Sequence, residues 1–322
     1  FLENVAGRTF PEAVIELSKM YGLELPVEDP ADKEARLRKD KALKLAADFY
    51  HAQGNFEYFL SRGISESVLQ RHQAGYAPGG RALREHLQKF GYTKQELLEY
   101  KLINSKGLDS FFYRAIVPVY KRGKVIDLYG RAVDDAKSGV KHFYLYGDDI
   151  LGGFDLLNPK RTVHLFEAAI DRLAAESHGI DNGVDSGGAS KFTANHARQL
   201  KKKGVDRVLV IYDGDDAGRK GALNTGQLLI DAGIHVWVGE LPHDQDPAKM
   251  LQEQGKDAFL QALQRPKTFE QFKMYRELEK YSLADLEMYI SEKKASQALG
   301  LNRKAGNLLC DDDILDRMHV NR

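Results

Sequence analysis

The alternation of apolar and polar positions changes along the chain, and each change predicts a different kind of structure. Residues 31–101 show helical spacing broken by glycine and proline, after an opening helix over 9–22. Residues 111–120 and 125–133 are apolar runs joined by a Lys-Arg-Gly-Lys turn, which predicts an antiparallel hairpin. A third strand is expected at 142–146. This part of the chain is therefore expected to be a small mixed α/β unit.

A second rhythm begins after residue 158, where short apolar runs alternate with helical segments of about ten residues. Strands that alternate with helices in this way predict βαβ units and a parallel sheet. From residue 267 onward the pattern is polar and helical, and 295–303 resembles a helix-turn-helix so faintly that a plain helical hairpin is the simpler prediction. The predicted strands of the parallel sheet are 163–166, 183–185, 208–212 and 234–238.

These patterns predict an α/β protein, α+β overall, in which a parallel sheet flanked by helices follows a mixed N-terminal subdomain. The predicted regions are a linker helix from a missing upstream module (1–30), a basic nucleic-acid-binding subdomain (31–157), the parallel-sheet catalytic subdomain (158–265) and a C-terminal helical segment (266–322).

Composition narrows the class of protein. The 47 basic and 47 acidic residues leave no net charge, which argues against a chain that coats nucleic acid through bulk positive charge. A single cysteine, Cys310, excludes a disulfide framework and a cysteine-rich zinc site, and it fits a cytoplasmic location. No run reaches the roughly 18 apolar residues of a membrane span, so no membrane partner is expected.

The sharpest local feature is the sequence Asp-Gly-Asp-Asp-Ala-Gly that begins at Asp213, directly after the apolar run 208–212. Ligands of open parallel α/β sheets bind at the carboxyl ends of the strands. Asp213 and Asp215 are two residues apart, so in extended backbone they point the same way and could share a hard cation such as Mg²⁺. The alternative is an acidic turn that merely caps the next helix.

Further carboxylates fall at the same landmark of neighbouring strands. Glu167 follows the run 163–166, Asp171 lies one helical turn later, and Asp246 follows the strand 234–238 and a short loop. Each one alone would be read as a cap or a loop residue. Clustered carboxylates do not all stay ionised without a cation, so three strands ending in acid predict a metal site.

The hairpin region carries local positive charge. Between residues 111 and 146 there are seven basic and three acidic side chains, a local charge of +4, interleaved with phenylalanine and tyrosine. Single-stranded nucleic acid is bound by such combinations of positive charge and aromatic rings. A solvated hairpin with core aromatics is the alternative interpretation.

Taken in order, these motifs resemble the TOPRIM module of bacterial primases, topoisomerases and some nucleases. The resemblance rests on Glu167, the glycine-rich loop 186–190 and the Asp-Gly-Asp at 213–215. The segments Phe-Leu-Ser-Arg-Gly-Ile-Ser at 59–65 and Gly-Tyr-Ala-Pro at 75–78 are similar to the start of the polymerase core of DnaG-type bacterial primases.

The resemblance implies a primase core that joins ribonucleotides on single-stranded DNA. It implies two or more Mg²⁺ or Mn²⁺ ions, nucleoside triphosphates as substrates, and a replicative helicase reached through regions absent here. Its implied catalytic residues are Glu167, Asp213 and Asp215. Its implied metal ligands are Glu167, Asp171, Asp213, Asp215 and Asp246, and its implied template or nucleotide contacts are Arg114, Arg131 and Lys141.

Three departures from the family pattern point to a divergent member, and an origin in a phage or mobile element is one hypothesis. Ala168 stands where the family has glycine, Ala248 replaces a carboxylate, and a second lysine is missing after Tyr146. Two rival functions therefore stay open. One is a TOPRIM nuclease that uses the same metals, and the other is a non-catalytic module that binds single strands.

Overall fold

Two β-sheets organise the computed structural model, which describes residues 10–22, 29–134, 140–147, 150–282, 284–285 and 287–288. The predicted hairpin at 295–303 lies outside these residues, as does the first residue of the predicted 9–22 helix. The described part of that helix is α1, Phe10–Tyr21. Within the described residues, no helix combines the length and the hydrophobicity that a bilayer span requires.

The first sheet is antiparallel, and its strands lie in the order β1-β2-β3-β4. Asp29 caps the long helix α2 and Pro30 occupies its first turn, as expected of a helix start. A Cβ atom at Gly75 would lie 2.3 Å from the backbone of Tyr50, so glycine lets β1 lie directly against α2. The strands are β1 Gly75–Ala77, β2 Arg114–Lys121, β3 Lys124–Ala132 and β4 His142–Tyr144. The helices are α2 Pro30–Ala52, α3 Glu57–Leu60, α4 Glu66–Arg71, α5 Ala82–Gln88 and α6 Lys94–Glu99.

The hairpin predicted between the two apolar runs is confirmed as β2 and β3. Lys121 pairs with Lys124 across a two-residue turn, and Arg122 and Gly123 both have positive φ, at 52° and 72°. Positive φ at both central residues matches the right-handed twist of the strands that such a turn connects. The hairpin carries β4 on its outer edge, where Arg131 lies directly opposite His142.

The second sheet has the order β6-β5-β7-β8-β9 and is parallel except for its last strand. The predicted alternation of strands and helices is therefore confirmed. A 3₁₀ turn, Phe154–Leu156, precedes the sheet. The strands are β5 Val163–Phe166, β6 Gly183–Asp185, β7 Arg207–Ile211, β8 His235–Val238 and β9 Lys267–Thr268. The helices are α7 Ala169–Ser177, α8 Ala194–Lys202, α9 Asp216–Asp231, α10 Pro247–Ala262 and α11 Phe269–Leu278.

A shared core joins the two sheets. Phe59 and Leu69 from the first unit pack in one buried cluster with Phe166, Leu173 and Phe259 from the second. Polar contacts reinforce this junction: the backbone N–H of Ser65 donates to Ser177 Oγ at 3.0 Å, and His72 Nε2 lies 2.6 Å from Glu176. The junction fixes β3 and β4 beside the carboxyl ends of the parallel strands.

The core of the parallel sheet includes side chains on both sides of the predicted borders at 158 and 265, and the borders themselves stay a prediction. Leu151 and Leu157 belong to the same buried cluster as Val163, because the chain before β5 packs on the parallel sheet. At the other end, β9 pairs with β8 after the predicted border at residue 265, and Phe269 and Phe272 fill the same core. The buried core of the parallel sheet therefore includes side chains from Leu151 to Phe272.

Candidate active site

The loop after β7 is shaped by two close backbone contacts. A Cβ atom at Gly214 would lie 2.0 Å from the carbonyl oxygen of Pro242, and one at Gly218 would lie 2.2 Å from that of Asp213. Only glycine tolerates such approaches. The Gly214 N–H donates to the carbonyl of Gln245 at 2.8 Å. This bond draws the loop after β8, which carries Asp246, toward the loop that carries Asp213.

The five predicted carboxylates line one cleft of about 240 Å³. Glu167 directly follows β5, Asp171 lies in the first turn of α7, and the others come from the loops after β7 and β8. We call these side chains the acidic wall. Its members are Glu167, Asp171, Asp213, Asp215 and Asp246.

Some members of the acidic wall also hold their own elements in place. Asp215 accepts a hydrogen bond from the Gly218 N–H at 2.7 Å and caps α9, and Asp246 accepts one from the Lys249 N–H at 2.6 Å and caps α10. The interpretation as helix caps is therefore correct for both, yet it does not compete with a functional role. Capping fixes the direction of each carboxylate while the side chain still lines the cleft.

Burial and mutual repulsion make the acidic wall unfavourable when it is fully charged. Burial, together with the neighbouring Asp171 and Glu167, raises the pKa of Asp213 to about 9. Burial, with Asp246 nearby, raises the pKa of Asp171 to about 7, and burial also raises the pKa of Glu167. Within the described residues, Asp213 Oδ1 is buried without a hydrogen-bond partner. A buried oxygen without a partner lowers the stability of the fold unless a hydrogen-bond donor or a cation binds it.

The donor set fits a hard divalent cation, since all five ligands would be carboxylate oxygens, which Mg²⁺ and Mn²⁺ prefer. The side chains are neighbours along one cleft rather than a finished cage. In the described part of the chain, no three histidine, cysteine, aspartate or glutamate side chains are grouped closely enough to hold an ion. The carboxylates would therefore have to rotate toward a common point when a cation enters.

The opposite side of the cleft belongs to the N-terminal unit and is basic. Arg131 and Lys141, which were predicted to contact template or nucleotide, line this side. Tyr58, Arg62 and His142 also line this side, and the sequence analysis assigned none of them a role, although Arg62 lies inside the motif at 59–65. Arg62 reaches across, with Nη2 3.5 Å from Asp246 Oδ2. We call these side chains the basic wall, and its members are Tyr58, Arg62, Arg131, Lys141 and His142.

Arg114 does not line the cleft with the basic wall, and its contact with nucleic acid stays a prediction. Its side chain is only 2% exposed. The guanidinium donates to the carbonyl of Gly130 at 3.1 Å and to that of Val140 at 2.7 Å, and it lies beside the ring of Phe143. Sequence spacing indicated a basic residue on a strand but not which face of that strand is covered. Arg114 instead ties the hairpin to the segment before β4.

The two walls together suit chemistry on phosphates. Carboxylates that can hold divalent cations lie across a narrow cleft from arginine and lysine, which bind phosphate oxygens. A phosphate placed between them would meet cations on one side and N–H donors on the other. The arrangement fits phosphoryl or nucleotidyl transfer better than it fits acid–base chemistry on an uncharged substrate.

Comparison with known proteins matches both halves of this cleft. Residues 46–145 match the family model of the DNA primase catalytic core, N-terminal domain, and residues 164–251 match the Toprim-like model. The DNA primase of Clostridium acetobutylicum is 29% identical over 313 residues, covering 90% of this chain and 52% of that protein. The DNA primase of Aquifex aeolicus is 32% identical over 268 residues, covering 76% and 52%. The chain thus spans about half the length of these relatives.

Solved structures of bacterial primases have a similar fold. The crystal structure of the Aquifex aeolicus primase, with its zinc-binding and RNA polymerase domains, superimposes with a TM-score of 0.65 at 27% identity, covering 98% of this chain and 83% of that one. A DnaG primase catalytic domain bound to single-stranded DNA has the same fold, with a TM-score of 0.65 at 24% identity, covering 78% and 86%. The chain therefore belongs to the bacterial DnaG-type DNA primase family and carries both parts of its catalytic core.

Proposed function

We propose that this protein synthesises short RNA primers on single-stranded DNA, as a DNA-directed RNA polymerase. One observation carries the proposal: the acidic wall and the basic wall line a single cleft, in a chain that matches the N-terminal domain of the DNA primase catalytic core over 46–145 and a Toprim-like model over 164–251. The relatives are named as DNA primases, and this chain corresponds to about half of each, so the whole activity is inferred for it.

The acidic wall would bind the metal ions, and the basic wall would bind phosphate groups. Glu167, Asp213 and Asp215 are the proposed catalytic carboxylates, and with Asp171 and Asp246 they would hold two or more Mg²⁺ or Mn²⁺ ions. Bound divalent ions would favour ionisation of the attacking 3′-hydroxyl and offset the charge that develops at the α-phosphate.

On the opposite side, Arg131 and Lys141 would bind phosphate oxygens of the template or of the incoming nucleotide. Their position across the cleft orients the reacting phosphate toward the carboxylates. The two walls already form one ion pair, in which Arg62 Nη2 lies 3.5 Å from Asp246 Oδ2.

The partners follow from the same proposal. A related catalytic domain has been solved with single-stranded DNA, and we propose single-stranded DNA as the template and nucleoside triphosphates as substrates here. We also propose a replicative helicase as a partner. The cytoplasmic location expected from the lone cysteine is part of the same proposal.

Primer formation on unlabelled single-stranded DNA, with labelled nucleoside triphosphates and Mg²⁺ or Mn²⁺, tests the proposal. Glu167→Gln and Asp213→Asn should each abolish the product, whereas Asp231→Asn, at the end of α9, should not. Wild-type rates in either site variant would exclude the assignment of the acidic wall.

The same assay separates the two rivals. Metal-dependent cleavage of an end-labelled single strand in the absence of nucleotides would favour a nuclease. Metal-independent strand binding, with no product under any nucleotide condition, would favour a binding module. The non-catalytic binding module stays an alternative because Ala168 and Ala248 both depart from the family pattern.

A further inference from the structure

The guanidinium of Arg131 is held on two sides before any ligand arrives. Its Nε–H donates to the hydroxyl of Tyr58 at 2.9 Å, and its Nη1 lies 3.0 Å from His142 Nε2. Tyr58 comes from α3 and His142 from β4, so two separate elements hold one side chain. Arginine is long and flexible, and two such contacts remove much of its rotational freedom.

Hydrogen-bond chemistry settles which nitrogen of His142 carries the proton. A guanidinium only donates, so His142 Nε2 must be the acceptor. A neutral imidazole that accepts at Nε2 carries its proton on Nδ1, which lies 2.8 Å from the hydroxyl of Tyr129. The Nδ1–H therefore donates to the Tyr129 oxygen. The chain of contacts runs from Tyr129 through His142 to Arg131.

The strand register explains why these side chains meet. Arg131 and His142 are direct cross-strand partners in β3 and β4, and Tyr129 lies two residues before Arg131 on the same face. The ring of Tyr129 is 1% exposed and lies 6.0 Å from the imidazole, with an angle of 28° between the rings. Burial raises the pKa of the Tyr129 hydroxyl, so it remains protonated. His142 is thus anchored to the core although its own side chain is exposed.

Two of the five N–H groups of Arg131 are used in this way among the described residues. The other three remain for a ligand, and Arg131 lines the cleft opposite the acidic wall. A phosphate between the walls would find a guanidinium whose orientation is already set. Pre-organisation of this kind lowers the cost of binding.

We propose that His142 is a positioning residue, which orients Arg131 toward a phosphate group in the cleft. The inference rests on the proposed function for the nature of the ligand, and it assigns a role to a residue that no motif indicated. The phosphate belongs either to the template strand or to the incoming triphosphate, and the two are separated by the arms of the test.

The test measures two affinities with the intact chain in Mn²⁺, one for ATP and one for a fluorescein-labelled single-stranded oligonucleotide. His142→Ala should weaken one of the two about five- to tenfold, the loss expected for one hydrogen bond. His142→Gln places an amide oxygen near the lost Nε2 and should restore most of the affinity. His235→Ala, at the amino end of β8, is the matched control and should change neither affinity.

A double-mutant cycle distinguishes positioning from general support of the fold. If His142 acts through Arg131, the double variant Arg131→Ala/His142→Ala binds no more weakly than Arg131→Ala alone. Additive losses, unchanged affinities in His142→Ala, or failure of His142→Gln to recover would each overturn the proposal. Thermal denaturation of every variant shows that the fold is intact.

The outcome for His142 is separate from that for primer synthesis. If the wild-type protein binds both ligands and the double-mutant cycle shows coupling, but no primers form, the polymerase proposal is refuted and the positioning role is supported. A protein that makes primers but shows no coupling would do the reverse.

Discussion

The two walls of the cleft are built on different physical terms. The acidic wall crowds five carboxylates at strand ends, leaves Asp213 Oδ1 buried without a partner and raises the pKa of three members. The basic wall instead holds its arginines by hydrogen bonds and ion pairs, as with Arg131 between Tyr58 and His142. The acidic wall is therefore electrostatically strained, whereas Arg131 in the basic wall is already held by neighbouring side chains. This difference indicates that the acidic wall would bind the metal and the basic wall the phosphate, on opposite sides of the cleft.

The largest expected effect concerns Asp213. Asp213→Asn should reduce metal-dependent primer formation by about 1,000-fold or more, because the charge that attracts the cation is lost. Initial rates at saturating nucleotide, with Mg²⁺ and with Mn²⁺, provide the measurement. Asp231→Asn, at the exposed end of α9, serves as the control. A loss below tenfold would place the essential charge elsewhere.

Arg114 and Arg131 should separate stability from binding within the N-terminal unit. Arg114→Ala should lower the free energy of unfolding by about 2–4 kcal/mol, since it leaves the buried carbonyl group of Gly130 without this donor and removes the hydrogen bond to Val140. Arg131→Ala should change stability by less than about 0.5 kcal/mol while weakening ligand binding. Urea denaturation of both variants measures this. Equal stability losses would show that the basic wall is structural.

The sequence predicted the acidic wall better than the basic one, and the reason is geometric. Strands of a parallel sheet end at one edge, so Glu167, Asp213 and Asp246 could be placed together from their positions after apolar runs. The basic wall forms where distant segments pack, as when Tyr58 meets Arg131. No local pattern encodes such a meeting. His142 was missed for this reason.

Arg114 and the domain borders show the same limit. The burial of Arg114 depends on Val140 and Phe143, which β4 brings over the strand. The two-residue strand β9 is too short to leave a period in the sequence, so the predicted sheet did not include it. The roles of the five carboxylates, Arg131 and Lys141 in catalysis and binding stay predictions, now with defined positions.

The raised pKa of Asp213 predicts an opposite effect on stability in the absence of metal. A carboxyl group whose folded pKa lies above its unfolded value stabilises the fold at low pH, and this contribution is lost as pH rises through the folded pKa, here about 9. Asp213→Asn cannot ionise and should keep it. In EDTA the variant should be more stable than wild type at pH 8.

Thermal or urea unfolding between pH 5 and pH 8 checks both the sign and the trend. The advantage of the variant should shrink toward pH 5, because protonating the wild-type carboxyl on folding costs less as pH falls toward its unfolded pKa. Added Mg²⁺ should stabilise wild type and not the variant. A variant that is less stable than wild type at pH 8 in EDTA would mean that the acidic wall is not repulsive.

The smallest expected effect concerns Lys141, an exposed member of the basic wall. Lys141→Ala should weaken binding of single-stranded DNA only about two- to fivefold at moderate salt, as the loss of one phosphate contact. The slope of log affinity against log salt should fall by about 0.7. Titrations at several salt concentrations provide the slope. An unchanged slope would remove Lys141 from the nucleic-acid contact.

The central claim is that the five carboxylates converge on divalent cations. Anomalous diffraction from crystals soaked in Mn²⁺ with a nucleoside triphosphate tests it most directly. We predict an anomalous peak in the cleft, with oxygens of Glu167 and Asp213 among its ligands. A peak bound by other residues, or a cleft without one at saturating Mn²⁺, would contradict the account.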